Sequence, residues 1–298
     1  MITHPDIKIN LGLNVLRKRP DGYHDLETLF YPDNSFNDTL EIITGDDYST
    51  TSARLFSLYG GNSLVFDGLA PAEEREEDEL PTLVQGISPD GKLMITIARE
   101  EGIGWNPLKD QCAKAYSLLD QDFNLPNVKI YLEKKSPVGA GLGGGSADGA
   151  FALKMLNEMF SLGLDEDQLA AYASRIGSDC AFFIYNRPMI GEGRGEILQP
   201  FDLNLDGYEI QIIFPGDLSI STAEAYSKIH LSEDFIPIRE VLALPVEEWK
   251  DKLQNSFEAS IFASHPELAA IKQSLYDSGA VYAAMSGSGS ALFGIYKA

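Results

Sequence analysis

The stretch SPVGAGLGGGSADGA, Ser136 to Ala150, places six glycines within fifteen residues and ends on a pattern that suits a helix. Gly139, Gly141 and Gly144 satisfy G-x-G-x-x-G, the spacing of dinucleotide-binding folds. That fingerprint asks for a strand directly before it and an acid ending the next strand about 20 residues later. Here KKSPV intervenes after VKIYLE, and the acids at that distance, Asp165 to Asp167, read as a helix start. G-x-x-x-x-G-K-[ST] fails as well, because no lysine follows the glycines. What remains is a phosphate cradle of a third kind or a tight turn. A helix N-terminus preceded by glycines offers free N–H groups and the positive end of the helix dipole, which bind phosphate without a lysine. Glycine lets the backbone approach the anion and adopt positive φ.

Three further features could share such chemistry. Asp179 stands where one helix ends and an apolar strand is expected to begin, a position from which a carboxylate can face a cleft. Lys8 lies in a strand that reads as half-buried. SGSGS, Ser286 to Ser290, is a second small-residue loop between strands. Each has a plain structural alternative: a turn acid, a solvent-facing lysine, a tight turn.

The elements that would position these residues follow from hydrophobic periodicity. IKINLGLNVL (7–16) alternates as a strand with one buried face, and the Pro-Asp-Gly turn after it predicts a hairpin. DTLEII, KLMITIARE and VKIYLE read as strands, and LKDQCAKAYSLLDQDF as a helix burying Cys112, Ala115, Tyr116 and Leu119. After the loop, Ser146 is expected to cap a helix that buries Ala150, Leu153, Leu156 and Phe160. DEDQLAAYASRI forms a second helix stopped at Gly177. The last third reads as a strand YEIQIIF, helices at TAEAYSKI, VEEWKDKLQNSFEASIF and PELAAIKQSLYDSG, and two strands around MSGSGSALFG. The mixed order predicts an α+β protein rather than a doubly wound sheet. Residues 45–91, which hold the acidic run Ala72–Leu80, show little pattern.

A chain of 298 residues with 44% hydrophobic content supports two domains. The net charge of -22 argues against binding nucleic acid or an anionic membrane. With no apolar run near 18 residues and no signal-like N-terminus, the expected location is the cytoplasm. Cys112 and Cys180 read as buried thiols. His4, His24, His230 and His265 show no metal-binding spacing.

Taken in order, these blocks resemble the GHMP kinase superfamily, named for galactokinase, homoserine kinase, mevalonate kinase and phosphomevalonate kinase. The pattern Pro-x3-Gly-Leu-Gly followed by small residues is met by Pro137, Gly141, Leu142, Gly143, Gly144, Gly145 and Ser146, then Ala147. IKINLGLNV, KRPDGYHDLETLF, IGSDCAFFI, PGDLSISTAEAY, NSFE and MSGSGSALFG are similar to further blocks of one member, to which R-P-D-G-Y-H is specific.

The resemblance implies an α+β, two-domain GHMP kinase fold: a ribosomal-protein-S5-like N-terminal domain at 1–160 and a ferredoxin-like C-terminal domain at 161–298. It implies ATP and Mg²⁺ as cofactors, a cytidine diphosphate derivative as substrate, and a monomer or homodimer. The implied reaction transfers phosphate from ATP to the 2-hydroxyl of 4-diphosphocytidyl-2-C-methyl-D-erythritol. By position, Asp179 would take the hydroxyl proton and Lys8 would orient Asp179 and stabilise charge. Pro137, Gly139 and Gly141 to Ser146 would cradle the ATP phosphates. Asn10 would line the substrate site, Tyr23 and Tyr226 would sandwich the cytosine, His24 would bond its edge, and Thr222 would lie nearby. The resemblance identifies no metal ligand. Two rivals stay open: another GHMP kinase, acting on homoserine, mevalonate or a sugar, and a non-catalytic nucleotide sensor of the same fold.

Overall fold

The strands expected at DTLEII, KLMITIARE and VKIYLE form one sheet, because their alternate residues Leu40, Ile42, Ile95, Ile97, Ile130 and Leu132 are all buried. The fold is that of a computed structural model, which describes residues 1–45, 47, 49–66, 80–216, 218, 220–229, 231 and 235–298. The acidic run, Leu80 excepted, and His230 fall outside the described residues. Contacts divide the chain into two interleaved units, one of Met1–Asp6, Phe36–Ser136 and Gly144–Tyr185, the other of Ile7–Ser35, Pro137–Gly143 and Asn186–Ala298. The units therefore do not follow a single cut between 160 and 161: the chain changes unit inside the glycine loop and again after Tyr185.

Among the described residues, the first unit is a six-stranded mixed sheet with five α-helices. In spatial order its strands are β1 (Ile2–Thr3), β4 (Thr39–Thr44), β8 (Val128–Glu133), β7 (Leu93–Ala98), β6 (Leu83–Ile87) and β5 (Ser63–Phe66). Helix α1 (Thr50–Tyr59) seals one face through Leu55, against Ile43, Leu83, Ala98 and Tyr131. Helices α2 (Gln111–Phe123) and α3 (Gly144–Met159) contact strands β7 and β4 respectively, and pack with α4 (Glu166–Ile176) and α5 (Cys180–Tyr185). Helix α2 buries Cys112, Ala115, Tyr116 and Leu119 as expected. Helix α4 opens on a capping box between Asp165 and Gln168 and ends at Gly177, also as expected.

Two expectations fail here. Ser146 is not the cap of α3: the helix begins at Gly144, and Ser146 lies in its first turn. CAFFIY is a helix, not a strand; a short, wholly apolar run fits a buried helix as well as a strand, since it has no periodicity to separate them. Gly149, unfavourable by about 1 kcal/mol inside a helix, has a packing reason: a Cβ there would come within 2.9 Å of Gln111 Cβ on α2.

Among the described residues, the second unit holds two antiparallel sheets. One has the order β10 (Ile197–Pro200), β9 (Met189–Gly193), β3 (His24–Asp33), β2 (Ile7–Lys18); the other has the order β11 (Tyr208–Ile213), β13 (Leu292–Lys297), β12 (Tyr282–Met285). Helices α6 (Thr222–Ser227), α7 (Ile238–Leu242), α8 (Glu258–Ser264) and α9 (Pro266–Asp277) complete it. The expected hairpin is β2 and β3, but β2 is buried on both faces from Ile7 to Val15. A bulge at Gly12, φ 71°, shifts its register between Leu11 and Leu13. Its buried polar residues have partners inside the unit: Lys8 and Asn10 bond each other, and Asn14 Nδ2 donates to the Ile236 carbonyl at 3.0 Å. The long helix expected over VEEWKDKLQNSFEASIF is broken, and only Glu258–Ser264 is α-helical. Asn255 breaks it: its Oδ1 accepts from Phe257 N at 2.9 Å and its Nδ2 donates to the carbonyls of Met285 and Gly287, each at 2.8 Å.

Candidate active site

In the second unit, β2 delivers Lys8 and Asn10 side by side on one face, two residues apart. Lys8 is 3% exposed, and its ammonium donates to Asn10 Oδ1 at 2.6 Å and to the Gly141 carbonyl at 2.8 Å. Asn10 Nδ2 donates to Thr28 Oγ1 at 3.0 Å, and that hydroxyl donates on to the Gly12 carbonyl at 2.6 Å. A buried lysine costs several kcal/mol unless its charge is met, so each link in this chain fixes the next.

The glycine loop is held from two sides within this unit. Lys8 N donates to the Leu142 carbonyl at 2.8 Å, and Ala291 N to the Ala140 carbonyl at 3.1 Å. Ser286 Oγ donates to the Gly141 carbonyl at 3.0 Å, so SGSGS meets the glycine loop directly. Gly139, Gly141 and Gly143 have φ of 74°, 77° and 75°. Any side chain at Gly141 would overlap the Ser286 carbonyl. The glycine at 141 is thus required by backbone conformation and by loop-to-loop contact.

The same unit holds the aromatic residues. The His24 ring stacks on Tyr226 with centroids 4.8 Å apart and planes inclined by 20°, and Phe257 meets Tyr226 edge-on at 4.9 Å. Tyr23 is 56% exposed beyond the Pro-Asp-Gly turn, with the Arg194 guanidinium 4.9 Å from its ring centre. Burial, with Lys18 nearby, lowers the His24 pKa, so its imidazole is neutral at pH 7. Thr222 opens α6 with its hydroxyl 3.5 Å from Ser288 Oγ.

In the first unit, α3 brings Gly144, Gly145 and Ser146 to its N-terminal turn, where backbone N–H groups lack intrahelical partners. Gly145 is exposed, and a Cβ there would meet nothing within 4 Å. Asp179 lies in the turn between α4 and α5, partly exposed, with Ser178 Oγ donating to it at 3.3 Å. Behind it, burial pushes the Cys180 thiol up to about 12, against the Ser146 hydroxyl that bonds it. Cys112 is buried and raised well above the usual range as well, so both cysteines are the buried thiols expected.

One cluster in this unit escaped the sequence. Lys134, at the end of β8, donates to Asp38, to Asp148 Oδ2 at 2.6 Å and to Ser136 Oγ at 3.1 Å, all four residues being buried. Asp38 also accepts from Lys135 N at 2.6 Å and from Ser136 N and Oγ, each at 2.7 Å. Burial pushes the Asp38 carboxyl up, but Lys134 and Ser136 more than offset it and hold it below the usual range. Asp148 goes the other way, raised by burial and by Asp38 and Asp110 despite Lys134. Nothing in the sequence marked this group, since a lysine at a strand end is ordinarily solvated.

The glycine loop runs into α3, and α3 is followed by α4 rather than by a strand. Asp165, the acid the dinucleotide fingerprint would need at a strand end, caps α4 instead. The fingerprint reading therefore falls away. Among the described residues, no group of three or more His, Cys, Asp or Glu could hold a metal ion.

Comparison with known families identifies the class of protein. The model for the GHMP kinases N terminal domain matches residues 110–187 and that for the GHMP kinases C terminal matches 239–298. The chain belongs to the GHMP kinase family. Within that family it is similar to the 4-diphosphocytidyl-2-C-methyl-D-erythritol kinase of Bacteroides thetaiotaomicron, with 45% identity over 297 residues that cover 100% of this chain and 92% of the relative. A crystal structure of 4-(cytidine 5'-diphospho)-2C-methyl-D-erythritol kinase superposes with a TM-score of 0.69 at 28% identity, covering 99% of this chain and 89% of that one. The mevalonate kinase of Methanococcus jannaschii shares the fold, with a TM-score of 0.60 at 13% identity over 100% of this chain and 90% of that one.

Proposed function

We propose that this chain transfers the γ-phosphoryl group of ATP to the 2-hydroxyl of 4-diphosphocytidyl-2-C-methyl-D-erythritol, a step in non-mevalonate isoprenoid precursor biosynthesis. Phosphoryl transfer asks mainly for positioning and charge stabilisation, with little covalent work for the protein. The observation that best supports the reading is the glycine loop itself: three left-handed glycines, a carbonyl held by a buried lysine, and a continuation into a 16-residue helix. That combination suits a polyphosphate bound by backbone N–H groups and a helix dipole.

In this reading Gly139 and Gly141 to Ser146, after Pro137, cradle the ATP phosphates. Lys8 supplies positive charge toward the transferring group, and Asp179 accepts the proton of the substrate hydroxyl. Asn10, already locked by Lys8 and Thr28, lines the substrate side. Tyr23, His24, Thr222 and Tyr226 receive the cytidine: the tyrosines stack on the base and His24 bonds its edge. Because His24 covers one face of Tyr226, a base that stacks on that face displaces the imidazole toward its own edge. Mg²⁺ fits this chain as an ion carried on the ATP phosphates, which takes few protein ligands and keeps several waters. When bound it would neutralise phosphate charge. A cytoplasmic enzyme, monomeric or homodimeric, fits an acidic surface and soluble substrates; no helix among the described residues is long and apolar enough to cross a membrane.

Relatives named as 4-diphosphocytidyl-2-C-methyl-D-erythritol kinases, 45% and 44% identical over 100% of this chain, favour this substrate over homoserine or mevalonate, and the presence of both Lys8 and Asp179 favours an enzyme over a sensor. The test is a coupled ADP-release assay that compares the cytidyl substrate with homoserine and mevalonate. Turnover with the cytidyl substrate alone is the expected result. Turnover with either of the others in its place sinks the reading.

A further inference from the structure

The buried cluster of Lys134, Asp38, Ser136 and Asp148 has no part in the roles given so far. Its placement is informative because all four residues belong to the first unit, at the two points where the chain leaves and re-enters that unit around Pro137–Gly143. Asp38, just before β4, accepts the N–H groups of Lys135 and Ser136 and the Ser136 hydroxyl, so it fixes the backbone that leads into Pro137. Lys134 joins Asp38 to Asp148, in the second turn of α3, and so ties the exit of the loop to its entrance. Ser136 is pressed against the start of α3: any side chain at Gly144 would overlap its hydroxyl, and Lys134 Nζ lies 3.5 Å from where that Cβ would be.

We infer that Asp38 is a positioning residue for ATP: through Lys134 and Ser136 it clamps the two chain segments that flank the glycine loop, holding Ser136 against the first turn of α3. The inference rests on the ATP-dependent reading above. A device needed only for stability would not have to sit at both ends of one loop, and a buried ion pair often adds little net stability over an apolar pair of similar volume. What such a group supplies well is a single arrangement. A carboxylate that accepts two backbone N–H bonds, a hydroxyl and an ammonium holds one geometry that a carboxamide cannot reproduce, because its nitrogen donates.

Asp38→Asn, and separately Ser136→Ala, should be purified and assayed with ATP and the cytidyl substrate varied in turn, with binding of a non-hydrolysable ATP analogue measured by calorimetry. Loss of a charge-assisted bond predicts a rise in ATP KM and analogue Kd of about tenfold for Asp38→Asn. The milder Ser136→Ala should show about threefold, consistent with one lost neutral bond. KM for the cytidyl substrate should stay within about twofold, since the clamp lies in the ATP half of the chemistry. If ATP KM and analogue Kd stay at wild-type values, or if the two KM values rise together, the inference is overturned. Should Asp38→Asn fail to fold, Ser136→Ala decides by the same criterion. Wild-type protein that releases no ADP from ATP overturns the kinase reading instead, a separate outcome.

Discussion

The Lys8 ammonium donates to the carbonyl oxygen of Gly141 at 2.8 Å, 133 residues away in the chain. A charged group expected to act on the transferring phosphoryl is therefore bonded to the loop expected to hold the phosphates. The same nitrogen donates to Asn10 Oδ1, on the substrate side of the assignment. Lysine at position 8 both carries charge and fixes two neighbours, and its loss should show in both respects.

Lys8→Ala removes the charge and both bonds, although Gly141 keeps its bond from Ser286 Oγ. Withdrawing a charge-stabilising donor from a phosphoryl or acyl transfer site costs about 10² to 10³ in kcat. Steady-state ADP release should show at least that loss, with protein that still unfolds cooperatively. A change confined to KM contradicts the role.

Asp179→Asn keeps the shape of a partly exposed turn residue, so the fold should persist. Removing a positioned base typically costs about 10² to 10⁴ in rate. ADP release under saturating substrates is the measurement, with circular dichroism to confirm the fold. Turnover equal to wild type removes Asp179 from the mechanism.

Gly141→Ala tests the loop. A non-glycine residue in the left-handed region costs about 1 to 2 kcal/mol, and at this position the new methyl also overlaps the Ser286 carbonyl. The variant should unfold at a clearly lower temperature and bind ATP more weakly. By contrast Gly145→Ala, where nothing stands within 4 Å, should unfold near the wild-type temperature. An unchanged midpoint for Gly141→Ala means the loops part more easily than this geometry allows.

These positions also show what the sequence made legible. The glycine loop and the Pro-Asp-Gly hairpin turn are legible in local spacing, which can be read from one chain, whereas the roles expected of Lys8 and Asp179 rest on the family resemblance. Most strands and the helices α2, α3, α4 and α9 were legible too, through periodicity. Three things were not. CAFFIY has no polar positions to mark a helical face. Asn255 interrupts a good helical pattern through bonds to Met285 and Gly287, which lie 30 and 32 residues further on. The Asp38–Lys134–Asp148 cluster depends on three segments meeting, and each residue alone looks like a surface charge. The burial of Lys8 and Asn10 on what reads as the polar face of β2 belongs with these: alternation predicts two faces, but only tertiary structure says that both are covered.

The stacked pair of His24 and Tyr226 yields a pH-dependent prediction. Burial and Lys18 depress the His24 pKa below its usual 6.5, so the folded protein prefers the neutral imidazole. Below pH 6.5 the unfolded chain takes up a proton that the folded chain resists, and stability should therefore fall as pH drops from 6.5 toward the lower folded pKa. Above pH 6.5 both states hold a neutral ring and His24 contributes no pH dependence. A neutral imidazole can both donate to and accept from the edge of cytosine, whereas the protonated ring can only donate. KM for the cytidyl substrate should be flat above about pH 7 and rise once His24 protonates, with ATP KM unaffected by this group. Tyr226→Ala removes the ring beneath the imidazole; base stacking worth about 1 to 3 kcal/mol predicts a substrate KM higher by roughly five- to 150-fold. His24→Gln, which keeps a donor and an acceptor but cannot titrate, should abolish the acid rise while retaining part of the affinity. A substrate KM for Tyr226→Ala equal to wild type, or an acid rise that survives His24→Gln, means the cytidine is recognised elsewhere.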